Sequence, residues 1–498
     1  MSDQNSADPD FPAFSMSTSC LPATPSPALP HADSPRLGNL GLAVLLSGGF
    51  ITIFDLFVVN VAIPSMQATL SASFAQINFI IAAYELAYGV LLIAGSRLGD
   101  RHGRRRLFML GMAGFALASA LCGLAPTPDT LIAARIVQGA AAALLFPQVY
   151  ALIRVSFEGH ARRRAFAWLG MTLGLAAIAA QVLGGWIVHA DLFGLAWRTI
   201  FLVNLPLGLL ACWLARHIPE SAEPSGAAMD WAGAALVGLG LALLLLALIE
   251  GPARQWPAWT LACGAASVAA LTAFVRLQRR IAALGGAPLV DMALLTQPRF
   301  AAGCLVVMLV FSTASAMFLC YALLVQTGFG RDALTAGLIF APASVGFVAG
   351  SMAAPRLVAR YGTRAIALAA LLYGGATAAL MLHTEFAGAD LDPWALLPAL
   401  VWLGAAQGAV NTPLVNLAVG LVQDRQAGMA AGVVSTLQQV GAALGVSAAG
   451  MLYGGALQAH ADAGVAERHA QAFASAMQFN VAAILLAAAL LWRLGRQR

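Results

Sequence analysis

The sequence of 498 residues contains no lysine, and charged residues of all kinds make up only 10% of it. A soluble globular protein carries about 25% charged residues, so this composition excludes an ordinary water-soluble fold. The absence of lysine also excludes the phosphate-binding loop of ATPases, which needs a lysine against the nucleotide phosphates. Because 60% of the residues are hydrophobic, we expect the chain to lie in a lipid bilayer.

Cysteine and histidine are scarce as well. Five of the six cysteines lie in apolar runs, and no cysteine or histidine has the spacing of a metal site. We therefore expect buried, unreactive thiols, no metal site and no cofactor. The 27 basic residues are all arginines that lie mainly in loops on one side of the predicted membrane, so the positive net charge does not indicate a nucleic-acid partner.

The long hydrophobic runs predict the fold class. A membrane-spanning helix needs about 20 predominantly apolar residues, and fourteen stretches of the sequence qualify. They cover about residues 40–63, 76–96, 107–125, 130–153, 165–189, 199–217, 231–250, 257–278, 300–325, 334–355, 364–383, 395–421, 428–457 and 472–494. The sequence therefore predicts an all-α integral membrane protein with fourteen transmembrane helices.

The arginines predict the orientation of these helices. Cytoplasmic loops of membrane proteins accumulate positive charge. With a cytoplasmic N-terminus, 22 of the 27 arginines lie in the tail, in cytoplasmic loops or at their edges, and only Arg135 lies within a span. We therefore predict a protein of the cytoplasmic (inner) membrane with both termini in the cytoplasm.

The chain is predicted to consist of a tail and three groups of helices. Residues 1–37 are rich in proline and serine and are expected to be a disordered cytoplasmic tail. Residues 38–218 are predicted to form a six-helix bundle, 219–299 two inserted linker helices with cytoplasmic connections, and 300–498 a second six-helix bundle. The two bundles would be parallel repeats, because Arg356–Arg364 weakly repeats the pattern of Gly95–Arg106.

The segment Gly95–Arg106, between the second and third predicted spans, reads Gly-Ser-Arg-Leu-Gly-Asp-Arg-His-Gly-Arg-Arg-Arg. Its glycines permit a sharp turn. The order resembles the loop between spans two and three of the major facilitator superfamily, with Ser96 in place of the first glycine. The residues that match are Leu98, Gly99, Asp100, Arg101, Gly103, Arg104 and Arg105. The resemblance implies a cytoplasmic latch that biases a transporter between inward- and outward-facing states; the alternative is a charged loop that merely fixes orientation.

Two carboxylates lie within predicted spans, Asp55 in the first and Glu85 in the second. A charge in the middle of a spanning helix costs roughly 2.5–3.5 kcal/mol on insertion scales, so such a group can be neutral in one state and ionised in another. The segment from Asp55 through Asn60 to Pro64 resembles the first-span motif of the fourteen-helix drug:proton antiporters, which implies that Asp55 handles protons or cations. Pro64 is expected to end the helix. The alternative for both carboxylates is hydrogen bonding between helices for packing.

The fourth and fifth spans carry related patterns. Arg135, Gln138 and Gly139 share one helical face and match the family pattern Arg-x-x-Gln-Gly, which the resemblance associates with proton transfer. A structural ion pair of Arg135 is the alternative. In the fifth span Gly184 and Gly185 match the antiporters, but Gln181 and the residue before it replace their Gly-Pro. Close helix packing is expected at Gly139, Gly184 and Gly185, whereas the direction of transport stays open.

Neutral polar and aromatic residues within the spans are predicted to line a substrate cavity between the bundles. Tyr84 and Tyr88, for instance, stand four residues apart on one helical face. The predicted cavity residues are Asn60, Tyr84, Tyr88, Gln138, Gln181, Asn204, Gln407, Asn411 and Gln439. The alternative is that these side chains only bond between helices.

The resemblance implies a proton-coupled secondary transporter, not an enzyme, that exports drug-like or amphiphilic small molecules by alternating access. Proton coupling is assigned to Asp55, Glu85 and Arg135. The expected partners are a small-molecule substrate, protons and the lipid bilayer; periplasmic or outer-membrane export partners are left open. The alternatives are a narrow-specificity exporter of a metabolite or siderophore, and a non-transporting membrane sensor, against which the lack of a sizeable soluble domain argues.

Overall fold

The computed structural model describes residues 38–222, 230–422 and 427–496. In that part of the chain, fourteen helices are long and apolar enough to cross a membrane, and they are numbered here α1 to α14. In chain order they are Asn39–Leu70, Phe74–His102, Arg104–Gly123, Pro128–Ser156, Gly159–Ala190, Arg198–Ala215, Trp231–Pro252, Ala258–Ala283, Pro298–Gly328, Ala333–Tyr361, Thr363–Asp390, Pro393–Val419, Met429–Ala459 and Val465–Arg496. The predicted fold class is confirmed. The tail predicted for residues 1–37 lies outside the described residues.

Several helices begin earlier than the apolar runs predicted. α5 begins at Gly159 and α14 at Val465, whereas hydropathy alone placed their starts near residues 165 and 472. Hydropathy marks only the part of a helix that lies in lipid, and backbone hydrogen bonding continues into polar residues beyond it. Capping boxes at Ser73 and Thr127 fix the first turns of α2 and α4.

The predicted loop over Gly95–Arg106 is mostly helical. α2 continues to His102 and α3 begins at Arg104, so Gly103 alone breaks the chain direction, with φ of 104°. Gly362 separates α10 from α11 in the same way, with φ of 61°. Both angles are accessible to glycine at little cost, and the two single-glycine breaks stand at matching places in the two halves of the chain.

Pro64 does not end α1, as the sequence predicted. The helix continues through it to Leu70. A proline removes one backbone hydrogen bond and crowds the preceding turn, but Ile63 and Met66 on either side are fully buried. The packing of these side chains therefore keeps the last turn of α1 helical.

The helices form two groups, α1–α6 and α9–α14, which are joined mainly by two pairs of helices. α1 packs on α5, and α4 packs on α2 and α3; in the second half of the chain α10 packs on α12, α9 on α13, and α11 on α14. The main contacts between the groups are α2 with α13 and α5 with α10, while α7 and α8 pack together with α7 against α2 and α13. The domain boundaries at residues 38, 219 and 300 stay predictions. The end of the molecule at which α1, α5 and α9 terminate is called the outer end.

Small residues set the closest helix contacts. A Cβ at Gly139 would overlap the carbonyl group of Tyr84, and one at Gly184 would overlap the side chain of Val58. Gly185 lies against the backbone of Ala333 at the start of α10, which belongs to the other group of helices. These approaches bring the polar residues of α1, α2, α4 and α5 within reach of one another.

Candidate functional site

Asp55 and Arg135 form a buried ion pair between α1 and α4. Arg135 Nη1 lies 2.5 Å from Asp55 Oδ2, and neither side chain is more than 1% exposed. The other carboxylate oxygen accepts hydrogen bonds from Gln138 Nε2 at 2.8 Å and from Asn204 Nδ2 at 3.2 Å. Both oxygens of Asp55 are thus bonded within the first group of helices, where the negative charge is fully compensated.

A second layer of contacts holds this pair in place. Ser119 Oγ accepts hydrogen bonds from Gln138 Nε2 at 3.2 Å and from Asn204 Nδ2 at 3.0 Å, and donates to the carbonyl of Phe201. The guanidinium of Arg135 also lies 4.1 Å from the centre of the Tyr84 ring. We refer to Asp55, Ser119, Arg135, Gln138 and Asn204 as the Asp55 cluster. Its geometry fixes the orientation of both charges.

Glu85 lies apart from the Asp55 cluster, where α2 meets α9. Its side chain is 1% exposed, and Ser315 Oγ of α9 donates a hydrogen bond of 2.7 Å to Oε1. Oε2 is buried and finds no hydrogen-bond partner among the described residues. This carboxyl group therefore connects the two groups of helices and retains an unused bonding position, a place at which a proton can reside.

The predicted cavity residues of the first half separate into three places. Gln138 and Asn204 belong to the Asp55 cluster, and Tyr84 lies over Arg135. Tyr88 is 3% exposed, and its ring centre lies 6.0 Å from that of Tyr84. Asn60 and Gln181 lie nearer the outer end, where they line a common cavity with residues of α9 and α10. Their roles in substrate binding stay predictions.

The predicted cavity residues of the second half do not form one cluster. Gln407 Nε2 donates to the hydroxyl of Tyr373 at 3.4 Å within the second group of helices. Asn411 Oδ1 is buried without a hydrogen-bond partner in the described part of the chain. Gln439 of α13 is half-buried and lies against Gly89 of α2, so of these three it is the one in contact with the first group.

The residues predicted to form a latch contact the segment that follows α6. Asp100 and Arg104 form an ion pair at 2.8 Å, and the backbone N–H of Arg104 donates to the carbonyl of Ser221. Glu220 accepts a hydrogen bond from the backbone N–H of Arg105 at 2.9 Å. The remaining latch residues lie around this contact: Leu98 is half-buried, Gly99 lies against Gln148, Arg101 is exposed and Gly103 lies against Glu220. These bonds tie α2 and α3 to the connection before α7.

An ion pair joins the two groups of helices at the outer end. His189 Nδ1, near the end of α5, lies 2.6 Å from Asp332 Oδ2, just before α10. Asp332 also caps α10 by accepting a hydrogen bond from the backbone N–H of Thr335 at 3.0 Å. Hydrogen bonding to Thr335, together with the nearby His189, holds the pKa of Asp332 below its usual range. The pair carries an attraction of opposite charges only when His189 is protonated.

Sequence reasoning missed several residues of these sites. Ser119, Ser315 and Glu220 lie outside the motifs and show no feature that distinguishes them from ordinary helix or loop residues. Gln326 of α9, whose Nε2 donates to the carbonyl of Val61 at 3.0 Å, could have been found as one more neutral amide near a span end. Their importance arises from contacts between segments that are far apart in the chain.

Comparison with known proteins identifies the relatives of the chain. The model of the Major Facilitator Superfamily matches residues 45–446. The probable actinorhodin transporter of Streptomyces coelicolor is 35% identical over 428 residues, which cover 85% of this chain and 74% of that protein. The puromycin resistance protein pur8 of Streptomyces alboniger is 33% identical over 461 residues, 91% of this chain and 90% of that protein. The drug efflux pump JefA of Mycobacterium tuberculosis is 31% identical, with 82% and 80% covered.

Solved structures show the same fold. A bacterial homologue of the human lysosomal transporter Spinster, in an inward-facing and unoccupied conformation, matches with a TM-score of 0.64 at 17% identity, covering 92% of this chain and 96% of that one. A D-xylose–proton symporter matches with a TM-score of 0.64 at 15% identity, covering 91% and 97%. With fourteen helices long and apolar enough to span a membrane in its described part, and with these matches, the chain belongs to the Major Facilitator Superfamily and is a membrane transporter rather than an enzyme.

Proposed function

We propose that the protein is a proton-coupled exporter of drug-like or amphiphilic small molecules, located in the cytoplasmic (inner) membrane with both termini in the cytoplasm. Its relatives support the cargo class, since they are named as a probable actinorhodin transporter, a puromycin resistance protein and a drug efflux pump, and each match covers most of both chains. The positive-inside distribution of arginine supports the orientation. The observation that carries the coupling is the position of Glu85 between the two groups of helices.

Glu85 can link a proton to the movement of the helices. In the present arrangement its carboxyl group is buried against Ser315 of the opposite group. Burying an ionised carboxylate with one unbonded oxygen is costly, whereas a protonated carboxyl group is tolerated. When the groups separate and water reaches Glu85, the group can ionise. Contact between α2 and α9 therefore favours the protonated state, and opening favours proton exchange.

The Asp55 cluster would serve this process by fixed electrostatics. Asp55 has an arginine and two amides as partners, so its charge is already compensated and is less free to exchange a proton than that of Glu85. Arg135 supplies a permanent positive charge near Glu85, since its guanidinium stacks on the ring of Tyr84, the residue before Glu85 in the chain. A fixed cation stabilises a carboxylate anion and so promotes release of the proton.

The latch would control opening at one end of the molecule, and the contacts around the outer ion pair would control opening at the other end. The Asp100–Arg104 pair and the hydrogen bond from Arg105 to Glu220 stiffen the cytoplasmic end of the first group, where the family resemblance places a latch. At the outer end the contacts of α5 with α10 close the exit. Alternation between these two ends is the movement that a transporter of this fold uses to carry its substrate.

Transport in proteoliposomes tests the proposal. The purified protein is reconstituted with a pH gradient, and export of ethidium, a lipophilic cation, is followed by fluorescence. We expect Glu85→Gln to abolish the dependence of export on the gradient while ethidium still equilibrates through the protein. Glu250→Gln is the matched control, because Glu250 is a partly buried glutamate whose partner is the exposed Arg254 rather than a residue of the other group of helices. Full gradient dependence in the Glu85→Gln variant would contradict the assignment.

A further inference from the structure

Amides and aromatic rings surround a small cavity at the outer end, where the two groups of helices meet. Asn60 of α1 and Gln181 of α5 form one side; Phe318, Tyr321 and Gln326 of α9 form the other. The enclosed volume is about 10 Å³, enough for about one water molecule. We call these five residues the outer amide cavity. Its lining residues include no acidic or basic side chain.

Two amide atoms of this cavity are buried without hydrogen-bond partners. Asn60 is 4% exposed and Gln181 3% exposed, and Asn60 Oδ1 and Gln181 Nε2 find no partner among the described residues. The Nδ2 group of Asn60 donates to the carbonyls of Leu56 and Phe57. Because a carbonyl can only accept a hydrogen bond, these bonds identify the amide nitrogen, and the atom left without a partner is the amide oxygen. A buried polar atom left unpaired is unfavourable, and neither atom contributes to the fold by bonding.

The opposite wall of the cavity carries aromatic rings, and the hydroxyl group of its tyrosine already has a hydrogen-bond partner. Phe318 packs against Phe57 and Phe340 with ring centres 4.8 Å apart in both pairs. The hydroxyl of Tyr321 is already used, since it donates to the carbonyl of Ala336 at 2.8 Å. This wall therefore presents ring surfaces, which favour a flat aromatic group, whereas the amide wall presents one free acceptor and one free donor.

Two side-chain contacts join α1 to α9 across the cavity, beside the close backbone approach of α5 and α10 at Gln181 and Gly337. The hydrogen bond from Gln326 to the carbonyl of Val61 and the packing of Phe57 on Phe318 connect α1 with α9 across it. Separation of the helices at the outer end would break both contacts and enlarge the cavity, while Asn60 and Gln181 would stay together on the first group.

The geometry points to an exit subsite for uncharged, planar aromatic cargo that carries a hydrogen-bond donor next to an acceptor, as in an aromatic carboxamide. Asn60 Oδ1 accepts from the donor of the cargo, Gln181 Nε2 donates to its acceptor, and the rings of α9 pack on its face. This inference rests on the proposed export function and adds the chemical class of a substrate.

Three fluorescent probes test the two hydrogen bonds separately. Anthracene-2-carboxamide has donor and acceptor, its N,N-dimethyl amide keeps only the acceptor, and 2-ethylanthracene has neither. Binding to the full-length protein in lipid nanodiscs is measured in excess of binding to empty nanodiscs. We expect each loss of a hydrogen-bonding function to weaken binding to the unsubstituted protein about 5- to 10-fold, the effect of one neutral hydrogen bond in a buried site.

The variants assign each bond to a residue. Asn60→Leu is expected to remove the difference between the carboxamide and the dimethyl amide only, and Gln181→Leu the difference between the dimethyl amide and the hydrocarbon only. Gln458→Leu, at an exposed position of α13, is expected to retain both ratios. Because each ratio is measured within one variant, a reduced folded fraction cannot imitate the result.

The inference is overturned if the ratios of probe affinities are the same in the unsubstituted protein and its three variants. It is also overturned if the unsubstituted protein shows no specific binding. Ethidium export driven by a pH gradient is measured on the same preparations. If it persists while the ratios do not respond to Asn60→Leu and Gln181→Leu, the subsite is wrong and the export function stands. If the ratios respond but no gradient drives export, the binding site stands and the proton-coupled function fails.

Discussion

Asp55 and Arg135 carry opposite charges at a place that water does not reach. Each charge is costly to bury, and the pair is tolerated because each compensates the other and Gln138 and Asn204 satisfy the remaining oxygen. The consequence is asymmetric. Removing both charges leaves no uncompensated charge, whereas removing one member leaves such a charge inside the first group of helices.

We expect Arg135→Gln to lower the free energy of unfolding by about 3–5 kcal/mol, the cost of leaving one member of a buried pair alone. The Asp55→Asn/Arg135→Gln double variant should recover part of this loss. Unfolding by denaturant in detergent measures both. Arg254→Gln is the control, since Arg254 is 64% exposed and pairs with Glu250 at the surface, where a pair contributes about 1 kcal/mol or less. Equal losses in the free energy of unfolding for Arg135→Gln and Arg254→Gln would contradict the prediction.

The sequence predicted part of this cluster. Arg135 and Gln138 share a helical face, and that follows from their spacing alone; their carboxylate partner could be proposed because it stands in a recognisable motif. Ser119 and Asn204 could not be placed beside them, because the contacts depend on how α3 and α6 rotate about their axes. That rotation is set by side-chain packing along whole helices, which single-residue patterns do not encode.

Among the helices, α5 and α10 make the contact that closes the outer end. Their backbones approach closely at Gly185 beside Ala333 and at Gly337 beside the carbonyl of Gln181. A glycine is required there because any Cβ would overlap the backbone of the opposite helix. Closure of the outer end thus depends on two small residues, and a modest increase in side-chain volume should oppose it.

We expect Gly337→Val to shift the protein toward conformations open at the outer end. Spin labels at the exposed Phe193 and at Arg331, just beyond α5 and just before α10, should report a longer mean distance by pulsed electron resonance. Gly170→Val in α5 is the matched control, because a Cβ at Gly170 meets nothing within 4 Å and the cost to the helix is the same. An unchanged distance in the Gly337 variant would show that the contact does not control opening.

The ion pair of His189 with Asp332 predicts that closure depends on pH. Asp332 stays ionised well into the acid range because its pKa is lowered, so the attraction is present at acid pH, where the histidine is protonated, and is lost as the pH rises. Because both side chains are exposed, the effect on the closed population is at most about fivefold. The same spin labels measure it, and the pH response should shrink in His189→Gln; an identical response would exclude the pair as its source.

At the scale of the whole molecule, the number of spans and their class could be predicted because each span needs only an apolar run of sufficient length. The ends of the helices could not, since α5 and α14 continue into polar residues. The position of α7 between α2 and α13 could not be predicted either. All three helices are apolar on most faces, and the sequence does not indicate which faces pack together.

The predicted orientation can be checked by labelling. Phe193, after α5, is 94% exposed and Leu284, after α8, is 78% exposed; the arginine distribution places the first outside and the second in the cytoplasm. We expect a membrane-impermeant maleimide to label Phe193→Cys in intact cells and Leu284→Cys only after permeabilisation. The unsubstituted protein reports the background from the native cysteines. The reverse pattern would invert the topology.

The position of α7 has a consequence for how cargo dissolved in the bilayer arrives. Leu241, Leu245 and Ile249 of α7 share a buried cluster with Val90 of α2 and Val440 of α13. This helix therefore separates the hydrocarbon tails of the lipid from one of the two interfaces between the groups of helices. For a lipid-soluble compound that arrives from the side, this position of α7 favours entry on the opposite flank, along α5 and α10. The position of α7 thereby makes the two flanks of the protein unequal for cargo that arrives through the lipid.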